Sequence, residues 1–360
     1  MTSPLHYATQ GTRILLTSLK NKIKPYRYYG PAGDICTKII NDCWNGRFFQ
    51  TSTNNFPQFW SRDFGWCTQS LLTLGHEEKV HQTLRYALNR FKQANTITTT
   101  ITPGGKPFDF PAPAVDSLPW LIHSIRLSAF PHYEHRVFLN QQIQRFFTAF
   151  INPLTGLVKP DLHVSSLKDF AIRKSSCYDN CMVGMFAADL KKLKLDDPFE
   201  KYDYPALLTE QFWNGSFFFD DLTKKNYVAG DANIFPFVTG LISDREMLAS
   251  AIQAVEGAGL ADPFPLKYTT SRRHIQFIWQ EKLMSNYESD ALWTHMGPLY
   301  IKLLQHVDKD KAALYKQRYK QEIEKAGNFL EVYTKDGRPY ATPLYTCDRG
   351  MLWAANYLTL

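Results

Sequence analysis

Apolar residues in this chain recur at helical spacing in two patterns that take turns along the sequence. In one, a single stripe is apolar and the opposite face is charged, as in residues 77–92, 132–150 and 308–325. A helix of that kind buries one side and meets water on the other. In the second, nearly every face is apolar, as in residues 64–74, 115–127, 182–190, 234–242, 291–304 and 351–358. A helix of that kind has neighbours on several sides. Six such segments alternating with charged-faced ones predict an inner ring of helices inside an outer ring. The fold class expected is therefore all-α: a six-hairpin α/α toroid formed as one catalytic-size domain over residues 1–360, with few short strands in loops. The spacing predicts helices near 33–44, 61–74, 77–94, 114–130, 132–150, 178–194, 200–212, 231–241, 244–258, 289–305, 309–327 and 347–358. Strands are expected only around 96–102 and 217–219. A globin-like or solenoid pile competes, but no repeat of about 34 or 40 residues supports a solenoid.

Composition narrows the function classes. The chain is 44% hydrophobic and 21% charged, which excludes a disordered polymer. The net charge of +7 comes from dispersed Lys and Arg without a nucleic-acid motif, so no nucleic-acid partner is expected. No window of about 18 apolar residues occurs, and residues 14–19 are too short for a signal sequence, so no membrane partner is expected. The six cysteines have no disulfide-framework spacing, and a cytoplasmic location is the default. Cys177 and Cys181 read as small core residues, and with the histidines dispersed no metal site and no cofactor is expected. Asp63-Phe-Gly65 lacks the other kinase motifs, residues 102–107 lack phosphate-loop spacing, and Ser175-Ser176 lacks a nucleophile elbow.

The starts of the apolar segments carry the chemistry. Arg62 and Asp63 stand in Phe-Trp-Ser-Arg-Asp-Phe-Gly at 59–65, beside Trp60 and Trp66. Asp116 stands in Val-Asp-Ser-Leu-Pro-Trp at 115–120, with Trp120 following. Asp169 and Arg173 lie in Lys-Asp-Phe-Ala-Ile-Arg at 168–173. Asp231 opens a fourth segment, Asp290 a fifth with Trp293 and His295 behind it, and Glu331 precedes the sixth. If the inner helices run the same way, these groups share one rim. Carboxylates bind hydroxyls and aromatic faces stack on sugar rings, so the rim reads as a carbohydrate cleft. Asp116, Asp231 and Asp290 also fit a helix N-cap. Arg62 and Asp63 also fit a structural ion pair. Asp169 and Glu331 sit at no obvious cap.

These segments, in this order over about residues 45–360, resemble the six-hairpin inverting glycosidases. That group includes glucoamylases, trehalases, processing α-glucosidases with their mannosylglycerate-hydrolase relatives, neutral invertases, and the amylo-1,6-glucosidase part of debranching enzymes. Residues 59–65 resemble the segment that grips the terminal sugar in that group. Residues 115–121 resemble a neutral-invertase segment, residues 168–173 the general-acid segment, and residues 331–339 with 351–355 the general-base segment and last helix. The chain departs from the family pattern at Leu330, where the family has Pro, and at Ala354, where it has Ser. Asp169 in place of the glucoamylase Glu leans toward the trehalases and invertases.

The resemblance implies an exo-acting inverting glycoside hydrolase that removes a terminal sugar, α-glucosidic first, with Asp169 as general acid and Glu331 as general base. Trp60, Arg62, Asp63, Trp66, Asp116, Trp120, Arg173 and Trp293 are the expected substrate-binding residues. The partner is an oligosaccharide or small glycoside. A sugar epimerase or lyase on the same toroid is the alternative, and a His–Tyr pair at the pocket floor would favour it. A non-catalytic carbohydrate-binding protein is the other.

Overall fold

A computed structural model describes the chain from Pro4 to Leu360, with side chains from Thr9 onward. Met1, Thr2 and Ser3 lie outside the described residues. Thirteen α-helices occur among the described residues: α1 Pro4–Ile23, α2 Ala32–Cys43, α3 Ser61–Thr73, α4 Glu77–Ala94, α5 Ser117–Leu127, α6 Arg136–Phe150, α7 Cys177–Leu193, α8 Tyr204–Phe212, α9 Gly230–Val238, α10 Arg245–Gly257, α11 Met296–Leu304, α12 Lys309–Ala326 and α13 Ala354–Leu358. The odd-numbered helices from α3 to α13 touch in succession, and α13 closes on α3. Around this inner ring α2 packs on α13 and α12, α4 on α3 and α5, α8 on α7, α10 on α9, and α12 on α11. Helices α2 to α13 are the six hairpins of an α/α toroid, and α1 lies outside that count.

The two sequence patterns explain the two rings. Outer helix α4 buries Val80, Thr83, Leu84, Ala87, Leu88 and Phe91 on one stripe and ends at Asn95 in the left-handed region (φ 53°). Each large apolar side chain on such a stripe contributes roughly 2 kcal/mol by leaving water. Inner helix α7 is buried without a break from Cys177 to Phe186. Its start is capped by Ser176, whose side chain accepts the Asp179 N–H. Inner helices come close enough to need glycine: a Cβ on Gly65 of α3 would lie 2.6 Å from Trp120 Cβ of α5.

Several expected boundaries shift. The helix expected from 289 begins only at Met296, because Leu292–Trp293 forms a strand (β6) paired with Val332–Tyr333 (β7). The helix expected over 347–358 is α13 alone, because residues 348–351 are held by loop hydrogen bonds beside Glu331. Of 96–102 only Thr100–Ile101 is a strand, and around 217–219 a single bridge joins Trp213 and Phe218. No helix was expected over Pro4–Ile23. The inward side of α1 is half-buried Ile14 with buried Ser18 and Asn21, while Leu16, Leu19 and Ile23 face solvent. A polar inward face leaves no hydrophobic periodicity to read.

Candidate active site

The segments that enter the inner helices converge on one rim and enclose a cavity of about 220 Å³. Trp60, Arg62, Asp63 and Trp66 reach it from the start of α3, Asp169 from the segment before α7, Trp293 and His295 from before α11, and Glu331, Met351 and Trp353 from before α13. Phe110 and Ile14 complete part of the wall.

Glu331 is 3% exposed and fully bonded. Its Oε1 accepts the Tyr287 hydroxyl at 2.5 Å, and its Oε2 accepts the Tyr345 hydroxyl and the Asp348 N–H, the latter at 2.9 Å. Burial, with the nearby Asp348 charge, pushes its carboxyl up to about 7 against the pull of those three donors. The three donors favour the ionised form while burial favours the protonated one, and burial prevails.

Asp169 is half-buried in the cavity wall, and its Oδ1 accepts the Ser165 hydroxyl. Burial raises its pKa, Arg62 and Ser165 oppose the rise, and Asp116 adds to it. Its backbone is held by Glu288, a residue the sequence reading passed over in favour of Asp290 two positions on. Glu288 Oε1 accepts the Asp169 N–H at 2.6 Å, and Oε2 accepts the Phe170 and Ala171 N–H groups at 2.8 and 3.1 Å. Glu288 also lines the cavity, whereas Asp290 is half-buried, outside the lining. Nothing in the local sequence singles out Glu288, since its partners are more than a hundred residues earlier in the chain.

Asp63 sits in the first turn of α3, and its Oδ1 accepts the Trp353 indole N–H at 2.9 Å. Burial pushes its carboxyl up to about 7. Arg62 pairs with Asp116 rather than with Asp63: Nε lies 2.5 Å from Asp116 Oδ2, and Nη2 donates to the Ser165 carbonyl.

Three of the expected binding residues stand outside the cavity lining. Asp116 is wholly buried, where its Oδ2 takes Arg62 and the Tyr178 hydroxyl at 2.9 Å, so it orients Arg62 from behind; it makes no side-chain cap bond to α5. Trp120 stands behind Trp66, edge-on at 6.4 Å, and donates its indole N–H to Tyr178 at 3.2 Å. Arg173 faces Asp231 at 3.1 Å and Asp220 at 3.6 Å, and Lys168 reaches the same two carboxylates at 2.8 and 3.2 Å. Asp231 thus belongs to a buried charge cluster and caps nothing.

His295 is another cavity residue that sequence reasoning left unassigned, as are Tyr287, Tyr345 and Trp353. Its ring stacks on Trp66 at 4.5 Å and 5°, and burial, with Arg62, holds its pKa well below the usual value, so it is neutral. His295 Nδ1 and the indole nitrogens of Trp60 and Trp66 are buried in this wall with no hydrogen-bond partner among the described residues. Each such unmet group costs roughly 1–3 kcal/mol. Among the described residues no group of three His, Cys, Asp or Glu is placed to hold a metal ion, and no helix is long and apolar enough to cross a membrane.

No protein-family model matches the chain, and no curated protein matches it in sequence. Solved structures do match in shape. A rhamnosidase from Klebsiella oxytoca with rhamnose bound superposes with a TM-score of 0.66 at 9% identity, over 91% of this chain and 62% of that one. A glycosidase variant in complex with glucose gives 0.68 at 10% identity, over 91% and 94%. A bacterial glucoamylase complexed with acarbose gives 0.60 at 15% identity, over 84% and 48%. The chain thus spans less than two thirds of the rhamnosidase and about half of the glucoamylase. With a closed inner ring, a cavity at the shared rim and these matches in shape, the chain has the six-hairpin α/α-toroid fold of solved glycosidases.

Proposed function

We propose that this protein is an exo-acting, inverting glycoside hydrolase that removes a terminal sugar, α-glucosidic first. The observation that carries this reading is that Asp169 and Glu331, brought from separate rim segments, line one aromatic-walled cavity. Asp169 gives its proton to the glycosidic oxygen as the bond to the anomeric carbon breaks. A water attacks that carbon from the opposite face, and Glu331 takes the water's proton. The products are a free sugar of inverted anomeric configuration and the released alcohol. The inverting geometry requires the two carboxyls to stand roughly 6.5–9.5 Å apart, with room for the water. Asp63 and Arg62 hold sugar hydroxyls, and Trp60, Trp66 and Trp293 offer ring faces as pocket walls. The glucose in one solved neighbour and the acarbose in another support a glucoside as the first substrate to try.

One observation favours the epimerase or lyase reading: the Tyr268 hydroxyl lies 3.4 Å from His295 Nε2. Tyr268 is fully buried outside the cavity lining, however, and donates to the Leu167 carbonyl at 3.2 Å. The pair therefore does not reach a substrate together. The test is hydrolysis of trehalose, sucrose, isomaltose, maltose and glycosyl-glycerates, with the product anomer read by NMR. Retention of configuration would remove the inverting assignment. Asp169→Asn is expected to lose roughly 10²–10⁴ in turnover on glycosides. Normal turnover in that variant would end its role as the acid.

A further inference from the structure

The hydrolytic reading uses Asp169 and Glu331 and leaves Glu288 without a task, although it lies in the same wall and is 1% exposed. Nearby charges set its state. Arg62 pairs with Asp116, and Lys168 and Arg173 together face Asp220 and Asp231. Those three cations and three carboxylates balance. Asp169 and Glu288 are two more carboxyls, side by side, with no cation of their own among the described residues. Burial pushes both carboxyls up: Glu288 is pushed further by the Asp169 charge and opposed by its backbone N–H donors and then Arg173, while Asp169 is opposed by Arg62 and Ser165 and pushed further by Asp116. Two adjacent carboxyls in a desolvated wall do not both ionise near neutrality, so one proton stays with the pair.

Hydrogen bonding decides which carboxyl keeps it. Glu288 takes three backbone N–H groups that have no alternative but to donate. Such donors strongly favour the ionised form. Asp169 has a single side-chain donor, the Ser165 hydroxyl, which can turn to accept instead. Both oxygens of Glu288 also point at the chain, so it is badly placed to give a proton to a ligand.

We infer that Glu288 is a positioning residue: an anion fixed by the backbone of residues 169–171, it holds the segment bearing Asp169 in place and keeps the shared proton on Asp169. This rests on Asp169 being the general acid. The same bonds tie that segment to the one before α11, which also pairs with it through strands Ala171–Ile172 and Gln276–Phe277.

The test is carbon-13 NMR of protein labelled at its Asp and Glu carboxyls, with the Asp169 signal identified by its loss in Asp169→Asn. On lowering pH in the wild type, Asp169 is expected to take up its proton before Glu288. A Glu288 signal that moves first overturns the inference, and this measurement needs no Glu288 variant to fold. In Glu288→Gln the Asp169 midpoint is expected to fall by roughly one pH unit or more, and the alkaline limb of kcat/KM on a cleaved glucoside to move with it. An unchanged midpoint in the folded variant refutes it. Hydrolysis of α-glucosyl fluoride, whose leaving group needs no acid, separates the two readings. If Asp169→Asn cleaves glucosides as fast as the fluoride, the acid assignment fails, while the order of titration still reports on Glu288.

Discussion

Replacing Glu331 by Gln is expected to stabilise the protein while it inactivates it, and only above acidic pH. Glu331 is 3% exposed, and burial pushes its carboxyl from 4.5 up to about 7. A raised folded value means that the native state holds a proton the unfolded chain has released. Stability therefore falls as pH rises through that window and levels off above it. At about 1.4 kcal/mol per pH unit, the gap from 4.5 to about 7 costs the wild type roughly 3 kcal/mol at pH 8 and almost nothing at pH 4. Gln carries no charge and pays no such penalty. Its amide oxygen can keep the Tyr345 hydroxyl and the Asp348 N–H, and its NH₂ can donate to a turned Tyr287 hydroxyl. Any cost of that exchange is the same at both pH values. The measurement is urea unfolding of wild type and variant at pH 4 and pH 8. The stability difference is expected to change in the variant's favour by roughly 3 kcal/mol between the two. A difference that does not change with pH would refute the claim that Glu331 is held in a desolvated, proton-retaining setting.

Three further outcomes follow from the same geometry. Arg62→Ala leaves Asp116 buried without its counter-ion and should cost roughly 3–5 kcal/mol in chemical unfolding, since a stranded charge is far worse than a missing one. Gly65→Ala places a methyl 2.6 Å from Trp120 Cβ and should cost roughly 1–3 kcal/mol, read as a lowered Tm; an unaltered Tm would mean that α3 and α5 can separate cheaply. Trp66→Phe keeps the stacking on His295 but removes an unpartnered indole N–H from the wall. Because that N–H has no accessible surface, KM on a cleaved glucoside should stay within about threefold of the wild-type value; a tenfold rise would mean that the N–H reaches the substrate.

The ring was legible because it depends on where apolar residues fall. Residues 77–92 show one stripe and residues 182–190 show none, and those patterns alone require an outer and an inner helix. The site was legible in part. Asp169 and Glu331 sit in mixed segments without a capping pattern, and they meet at the cavity. Asp116, Trp120 and Arg173 have the same residue types in the same sort of segment, yet they fall one layer behind. A rise of one or two residues along a helix start turns a side chain from the cavity to the neighbouring helix, and one sequence does not reveal that turn. Glu288 and His295 were passed over for a different reason. Their roles come from partners far away in the chain, three N–H groups at 169–171 and the face of Trp66, and only ring closure brings these together. The helix α1 escaped notice because its inward face is polar. Local chemistry was thus enough for the architecture, while the second layer and the partners of Glu288 and His295 arise from long-range contacts.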